Sequence, residues 1–141
     1  MMADPSSTEI KLSGLNTHGL KSNVPFINKL ISEHDIIFIS EHWLSNAEKP
    51  IIKDLTSSEH KVHFTAAEKK GAGRPYGGNC FIVNKEIVGP TTVVHEDPHI
   101  LAIRSVGVND KSYIYIGLYL TCSTIVHLRM ISTTSLTHYR A

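Results

Sequence analysis

The stretch Asp35-Ile36-Ile37-Phe38-Ile39-Ser40 decides the fold of this chain. Its apolar residues are consecutive, and all of them are β-branched or aromatic. A run this short predicts a strand that is buried on both of its faces. A helix is predicted immediately before the strand, because Ile27, Leu30 and Ile31 follow one another at helical spacing.

The residues upstream of that helix complete a β-α-β unit. Asn23 is a candidate cap for the helix, and Pro25 fits its first turn, where backbone N–H groups have no partner within the helix. Apolar and polar residues alternate over Glu9–Leu15, which predicts a strand. The residues Asn16–Gly19 are typical of a turn. We expect the two strands of the unit to pair in parallel.

The downstream half is rich in strand patterns. A short helix is predicted around Ile51–Leu55, and the glycine-rich stretch Gly71–Gly78 must be a loop. The strand candidates are Lys61–Ala66, Asn79–Asn84, Thr91–His95, Ile100–Val108 and Ser112–Leu120. A front part that contains helices, followed by a run of hairpins, predicts an α/β (α+β) fold with two packed β-sheets and helices outside them.

Composition limits the class of protein. The chain has 141 residues, 41% hydrophobic and 19% charged, which predicts one globular domain, and a net charge of +1 gives no support to a dedicated nucleic-acid binder. Its two cysteines, Cys80 and Cys122, form no CxxC pair, so a disulfide framework or structural zinc site is not expected. Residues 1–8 are polar and are expected to be disordered. Because no signal-peptide layout or membrane-length apolar run occurs, we expect an intracellular chain with no membrane association.

Two oxygen-bearing residues lie at neighbouring strand ends. Glu41 follows the buried run, and Asn16 ends the first strand. Ligand sites in layered α/β folds gather at strand ends, and carboxylates bind hard cations such as Mg²⁺. The alternatives are a solvent-facing Glu41 and an Asn16 that only serves the turn.

Two further candidates are weaker. Lys69, Lys70 and Arg74 could bind a phosphate backbone, or they could form a solvated basic loop. Tyr119 ends a strand in which the tyrosines and Gly117 share one face. Its phenol could donate a hydrogen bond to a phosphate, although packing is the usual role of such a tyrosine.

The stretch His95-Glu96-Asp97-Pro98-His99 matches the H-E-x-x-H signature of zinc metalloproteases. That chemistry needs both histidines on one continuous helix. Pro98 interrupts any such helix, and the flanking residues are apolar and β-branched, so we predict a connector between two strands.

Taken together, four ordered motifs resemble the endonuclease/exonuclease/phosphatase superfamily, and within it the endonuclease domains of non-long-terminal-repeat retrotransposons, which are relatives of apurinic-site endonucleases. The resemblance spans roughly residues 10–122 and rests on Leu15-Asn16-Thr17-His18-Gly19-Leu20, Ser40-Glu41-His42-Trp43-Leu44, Gly73-Arg74-Pro75-Tyr76-Gly77-Gly78 and Gly117-Leu118-Tyr119-Leu120.

The resemblance implies a four-layer αββα sandwich with mixed β-sheets and hydrolysis of a DNA phosphodiester. It implies that Asn16 and Tyr119 are catalytic and that Glu41 is the ligand of Mg²⁺ or Mn²⁺. DNA is the implied partner and the nucleus the implied location.

The chain also departs from the family pattern. The family needs an Asp-x-Asn pair, another acidic residue and a late histidine–aspartate pair, yet no Asp, Glu or Asn follows Asp110. We therefore expect a partial sandwich with its C-terminal half missing, formed by residues 9–122, and a Ser/Thr-rich tail, 123–141, that is atypical of the domain. The competing functions are an endonuclease whose catalytic set is incomplete and a non-enzymatic remnant that binds nucleic acid weakly.

Overall fold

The computed structural model describes residues 9–69, 71–73, 75–107, 111–119 and 126–133. The helices are α1 (Val24–Glu33), α2 (Lys49–Asp54) and α3 (Lys85–Val88), and short 3-10 helices at Leu20–Asn23 and Asn46–Glu48 precede the first two. The strands are β1 (Leu12–Asn16), β2 (Ile36–Ser40), β3 (His60–Thr65), β4 (Asn79–Asn84), β5 (Thr91–Glu96), β6 (Ile100–Val106), β7 (Ser112–Tyr119) and β8 (Val126–Thr133).

The first sheet is mixed and has the strand order β1-β2-β4-β3. β1 and β2 pair in parallel, with Asn16 beside Ser40, so the predicted β-α-β unit is present. β2 also pairs with β4 in the antiparallel direction. All five residues of β2 are buried, as its uninterrupted apolar run predicts.

The second sheet is antiparallel and has the order β5-β6-β7-β8. Its last strand, β8, lies in the stretch 123–141, to which the sequence analysis assigned no structure. β8 pairs with the whole of β7, from Ser112 beside Thr133 to Tyr119 beside Val126. Pairing along an existing strand stabilises β structure more than local propensity does, which is why the pattern of the segment alone did not reveal it.

The described residues form two cores and three layers. One core joins the helices to the first sheet and includes Ile27, Leu30, Ile37 and Ile52. The other fills the space between the sheets. This succession of helices, mixed sheet and antiparallel sheet agrees with a partial αββα sandwich.

The sheets approach closely where β7 crosses β2. Phe38 and Phe81 pack with ring centroids 5.0 Å apart. A Cβ added at Gly117 would lie 2.3 Å from the ring of Phe38. The glycine in the tyrosine strand therefore lets the second sheet approach the first, and the tyrosine face of β7 is the face that turns inward.

Some boundaries and contacts differ from the predictions. β1 begins at Leu12 rather than Glu9. Asn23 precedes α1 but makes no capping hydrogen bond. Its Nδ2 donates instead to the carbonyl oxygens of Thr17 and Gly19, at 2.7 and 3.0 Å, so it fixes the loop after β1. The sequence analysis also missed α3, which is a single turn after β4. Within the described ranges, no helix is long and apolar enough to cross a membrane.

Candidate active site

The candidate site forms where β1 and β2 end side by side. Glu41 directly follows β2, and its backbone has a φ of 53°. His18 and Trp43 also have positive φ values, 44° and 61°, and these are the non-glycine residues of the described chain that do so. Such conformations cost about 1–3 kcal/mol each and persist where the surroundings determine them, often at functional sites.

Hydrogen bonds from both neighbouring loops hold this strained segment. Thr17 Oγ1 donates to the carbonyl oxygens of Ser40 and Glu41, at 3.1 and 2.9 Å. The Gly19 N–H donates to the Glu41 carbonyl at 2.8 Å. On the opposite side, the N–H groups of residues 42 and 43 donate to the carbonyl oxygens of Gly78 and Gly77. The backbone of Glu41 is thus fixed between the loops.

The loops carry glycines because aromatic rings occupy the space of a Cβ. A Cβ at Gly19 would lie 2.6 Å from the indole of Trp43, and one at Gly78 would lie 2.3 Å from the ring of His42. His42 is itself fully buried. Its Nδ1 accepts from the Leu44 N–H at 2.9 Å, which requires Nε2 to donate to the Thr65 carbonyl, also at 2.9 Å.

Burial lowers the pKa of His42 to about 4, so this imidazole is neutral at physiological pH. It also stacks on Phe64, with ring centroids 4.7 Å apart. His42 therefore acts as a structural support behind Glu41. His42 belongs to the motif Ser40–Leu44, but the sequence did not predict this supporting role.

Tyr119 closes the site from the second sheet. Its hydroxyl donates to Glu41 Oε1 at 2.5 Å, which joins the end of β7 to the end of β2. Desolvation, together with the hydrogen bond to Glu41, raises the pKa of Tyr119 to about 12. The phenol is therefore protonated at neutral pH and can donate.

The other oxygen of the Glu41 carboxylate, Oε2, is buried and has no hydrogen-bond partner among the described residues. His18 Nδ1 lies 2.9 Å from this oxygen, and the His18 side chain is 58% exposed whereas that of Glu41 is 14% exposed. The two atoms lie within ion-pair distance but form no hydrogen bond. A buried carboxylate oxygen that makes no hydrogen bond is a suitable donor to a divalent cation.

Asn16 ends β1 and pairs with Ser40, the residue before Glu41, in the neighbouring parallel strand. Its Oδ1 accepts from the His18 N–H at 3.2 Å, a contact that orients the amide and shapes the turn. The structure therefore places Asn16, Glu41 and Tyr119 at one edge of the sandwich. His18, which the sequence analysis did not single out, lies with them. A histidine two residues after a strand-end asparagine carries no sequence signal that would have identified it.

Two more buried polar side chains lie in the same row of the first sheet. Ser40 pairs with Asn79 across β2 and β4, and both residues are fully buried. Asn79 Nδ2 donates to the Pro98 carbonyl at 3.2 Å. Ser40 Oγ and Asn79 Oδ1 have no hydrogen-bond partner in the described part of the chain. The sequence did not indicate either residue as part of a site, because each belongs to a strand whose apolar pattern predicts core packing.

The remaining predicted residues do not join the site. Lys69 is exposed, whereas Lys70 and Arg74 lie outside the described residues. His95 ends up in β5 and hydrogen-bonds Asp97 at 2.6 Å, and His99 lies in the turn before β6. The H-E-x-x-H match is therefore a hairpin connector, as predicted. Among the described residues, no three His, Cys, Asp or Glu side chains are grouped so as to hold a metal ion.

The fold has a counterpart among solved structures. The chain is similar to the 3′ phosphatase NExo from Neisseria, bound to a product DNA hairpin, with a TM-score of 0.54 and 14% sequence identity. The match covers 79% of this chain and 41% of that chain, so this chain spans less than half the length of the phosphatase. No protein-family model and no curated protein matches the sequence. At this identity the similarity shows the fold alone.

Proposed function

We propose that this chain carries the site of a divalent-metal-dependent hydrolase of DNA phosphodiester bonds, centred on Glu41 and Tyr119. The observation that supports the proposal most is the buried Glu41 Oε2, which has no hydrogen-bond partner among the described residues while Tyr119 occupies the other oxygen. A buried carboxylate oxygen without a hydrogen bond costs free energy unless something else binds it. A cation is the ligand that such an oxygen suits best.

The residues present fit a hard cation. Glu41 would hold it through Oε2, and Asn16 and His18 would lie alongside with an amide oxygen and an imidazole nitrogen. Mg²⁺ or Mn²⁺ bound there would neutralise charge that develops on a phosphate and its leaving oxygen. Two or three protein donors suffice for Mg²⁺, which keeps several of its waters.

Tyr119 and Asn16 have distinct roles in this proposal. Tyr119 stays protonated because of its raised pKa, and its hydroxyl orients the carboxylate through Oε1. The Asn16 amide can donate to a phosphate oxygen through Nδ2, while Oδ1 accepts from the His18 N–H and keeps a second lone pair for the cation. Neither residue adds negative charge where the anionic substrate must bind.

DNA is the substrate class that we propose. The fold is shared with a 3′ phosphatase that was captured with a product DNA hairpin, and the sequence motifs resemble DNA endonucleases. The retrotransposon type and a nuclear location rest on the motif resemblance alone and remain predictions.

A second candidate function is DNA binding without cleavage. One observation favours it: residues 111–141 contain no Asp, Glu or Asn, so this part of the sequence supplies no carboxylate or carboxamide to act with Glu41. The prediction that residues 123–141 are atypical of the domain rests on the same composition.

Nicking of supercoiled plasmid in Mg²⁺ and in Mn²⁺ tests the proposal. The chain should nick, Glu41→Gln should abolish nicking, and Tyr119→Phe should reduce it. The exposed Glu86→Gln is the matched control and should nick like the parent chain. A folded chain that binds DNA without nicking it would instead establish the second candidate, and equal nicking by Glu41→Gln would place the activity elsewhere.

A further inference from the structure

A cavity of about 350 Å³ opens beside Tyr119, between the glycine-rich loop after β3 and the turn between β5 and β6. Tyr119 belongs both to this cavity and to the candidate active site. Whatever occupies the cavity therefore lies next to a phosphate that is bound at Glu41. The volume falls within the range of about 300–1,000 Å³ that is usual for small-molecule sites.

The cavity has aromatic walls. Tyr119 and His99 stack with ring centroids 6.2 Å apart and an interplanar angle of 27°. Tyr76 also lines the cavity, and 42% of its surface is exposed. Most of the surface that lines the cavity is apolar, with Ala66 and Pro98 among the lining residues. Such walls suit a flat, mostly apolar group that can stack.

The charged side chains of the cavity are acidic. Glu68, Glu96 and Asp97 line it, and none of its described lining residues is a lysine or arginine. Tyr76 donates to Glu68 Oε2 at 3.1 Å, and Thr65 Oγ1 donates to Glu96 Oε1 at 3.2 Å. Each of these two carboxylates is thus anchored by a hydroxyl through one oxygen and can accept through the other. Asp97 is used within the turn, where it accepts from the N–H groups of residues 99 and 100.

We propose that the cavity takes one unstacked nucleobase of a DNA strand, and that Glu68 and Glu96 accept hydrogen bonds from the amino group of that base. The proposal rests on the proposed function, since it takes the position of the bound phosphate from it. Carboxylates repel a phosphate but accept readily from N–H donors. Single-stranded DNA should be preferred over a duplex, because extracting a paired base costs a few kcal/mol.

A comparison of cytosine with thymine distinguishes hydrogen bonding by the carboxylates from stacking alone. Cytosine presents an amino donor where thymine presents a carbonyl acceptor, while their ring sizes are alike. In fluorescence anisotropy without divalent metal, we expect the chain to bind a single-stranded decamer of deoxycytidine about tenfold more tightly than one of thymidine. A decamer of abasic residues, with the same phosphates, should bind less tightly than either.

The test variant is the double substitution Glu68→Gln and Glu96→Gln. It should reduce the cytosine preference to about twofold or less, since each hydrogen bond between a carboxylate and the base amino group contributes to discrimination. Removing two negative charges would strengthen DNA binding in general. The matched control is therefore Glu59→Gln with Glu86→Gln, which makes the same charge change at exposed positions outside the cavity and should retain the full preference.

The outcomes separate the two proposals. Equal binding of the cytosine, thymine and abasic decamers would overturn the nucleobase site and leave the phosphodiesterase proposal intact. A cytosine preference that survives in the cavity variant would also overturn it, because the discrimination would then arise elsewhere. A folded chain that binds none of the decamers would overturn the nucleobase site, whereas the phosphodiesterase proposal is decided separately by plasmid nicking in Mg²⁺.

Discussion

Replacing Glu41 by glutamine preserves the shape of the side chain and removes its charge, and we expect the change to stabilise the metal-free fold. Leaving a buried polar atom such as Glu41 Oε2 without a hydrogen bond costs about 1–3 kcal/mol. A neutral glutamine amide lowers this cost, because a charged group without a hydrogen bond costs more than a neutral one. The substitution therefore removes the extra cost of burying a charged oxygen that has no hydrogen bond.

The hydrogen bond from Tyr119 opposes this gain. It goes to a carboxylate oxygen at 2.5 Å, and exchanging a charged acceptor for a neutral one loses about 1 kcal/mol. The two effects leave a net stabilisation of about 1 kcal/mol, which for a chain of this size raises Tm by about 4 °C.

Thermal unfolding in the presence of EDTA measures this difference, and Glu86→Gln provides the control that should not change. Adding Mg²⁺ should reverse the order, because only the parent chain binds the ion; at a hundredfold excess over Kd the gain is about 2.7 kcal/mol. A Glu41→Gln variant that is less stable than the parent by more than about 1 kcal/mol in EDTA would refute the reasoning. The Glu41 carboxylate would then be a structural acceptor for Tyr119.

Three further predictions concern the residues that support the site. Gly78→Ala should lower the free energy of unfolding by about 3 kcal/mol, because its Cβ would lie 2.3 Å from His42. Gly77→Ala, which has a similar positive φ but open space, should cost only about 1 kcal/mol; equal losses in urea denaturation would contradict the clash. Because the pKa of His42 is lowered to about 4, its contribution to stability is present above pH 6.5 and is lost as the pH falls toward 4, at up to about 1.4 kcal/mol per unit. A urea midpoint that stays constant between pH 6.5 and 5 would exclude this linkage. Because the pKa of Tyr119 is raised to about 12, its contribution is present below pH 10 and is lost as the pH rises through 12. Ultraviolet titration should show a tyrosinate transition near pH 12 that is missing in Tyr119→Phe, and the appearance of that transition near pH 10 would contradict the raised pKa.

Much of the fold could be predicted because strong local patterns agree with the tertiary structure. The apolar run that forms β2 and the helical spacing in α1 each have one reasonable interpretation, and β4 was predicted to the residue. β8 was missed because its partner β7, rather than its own sequence, determines it. Asn23 was expected to cap α1, but its amide donates instead to two carbonyl oxygens of the preceding loop.

The candidate site was only partly predictable for a related reason. Strand-end position brings Asn16 and Glu41 together through β1–β2 pairing, which the β-α-β pattern implies. The contact between Tyr119 and Glu41 spans 78 positions of sequence, and residue spacing cannot specify it. The same holds for Asn79 and for the cavity walls, which arise from loops that meet only when the two sheets pack.

The most direct test of the central claim, that the Glu41 carboxylate holds a divalent cation, is a Mn²⁺ titration followed by electron paramagnetic resonance. We predict that the chain removes about one equivalent of free Mn²⁺, as expected for a single carboxylate site with a few supporting donors. We also predict that Glu41→Gln loses this binding while Glu86→Gln retains it. Equal binding by the parent chain and Glu41→Gln, or no binding by a folded parent chain, would contradict the account.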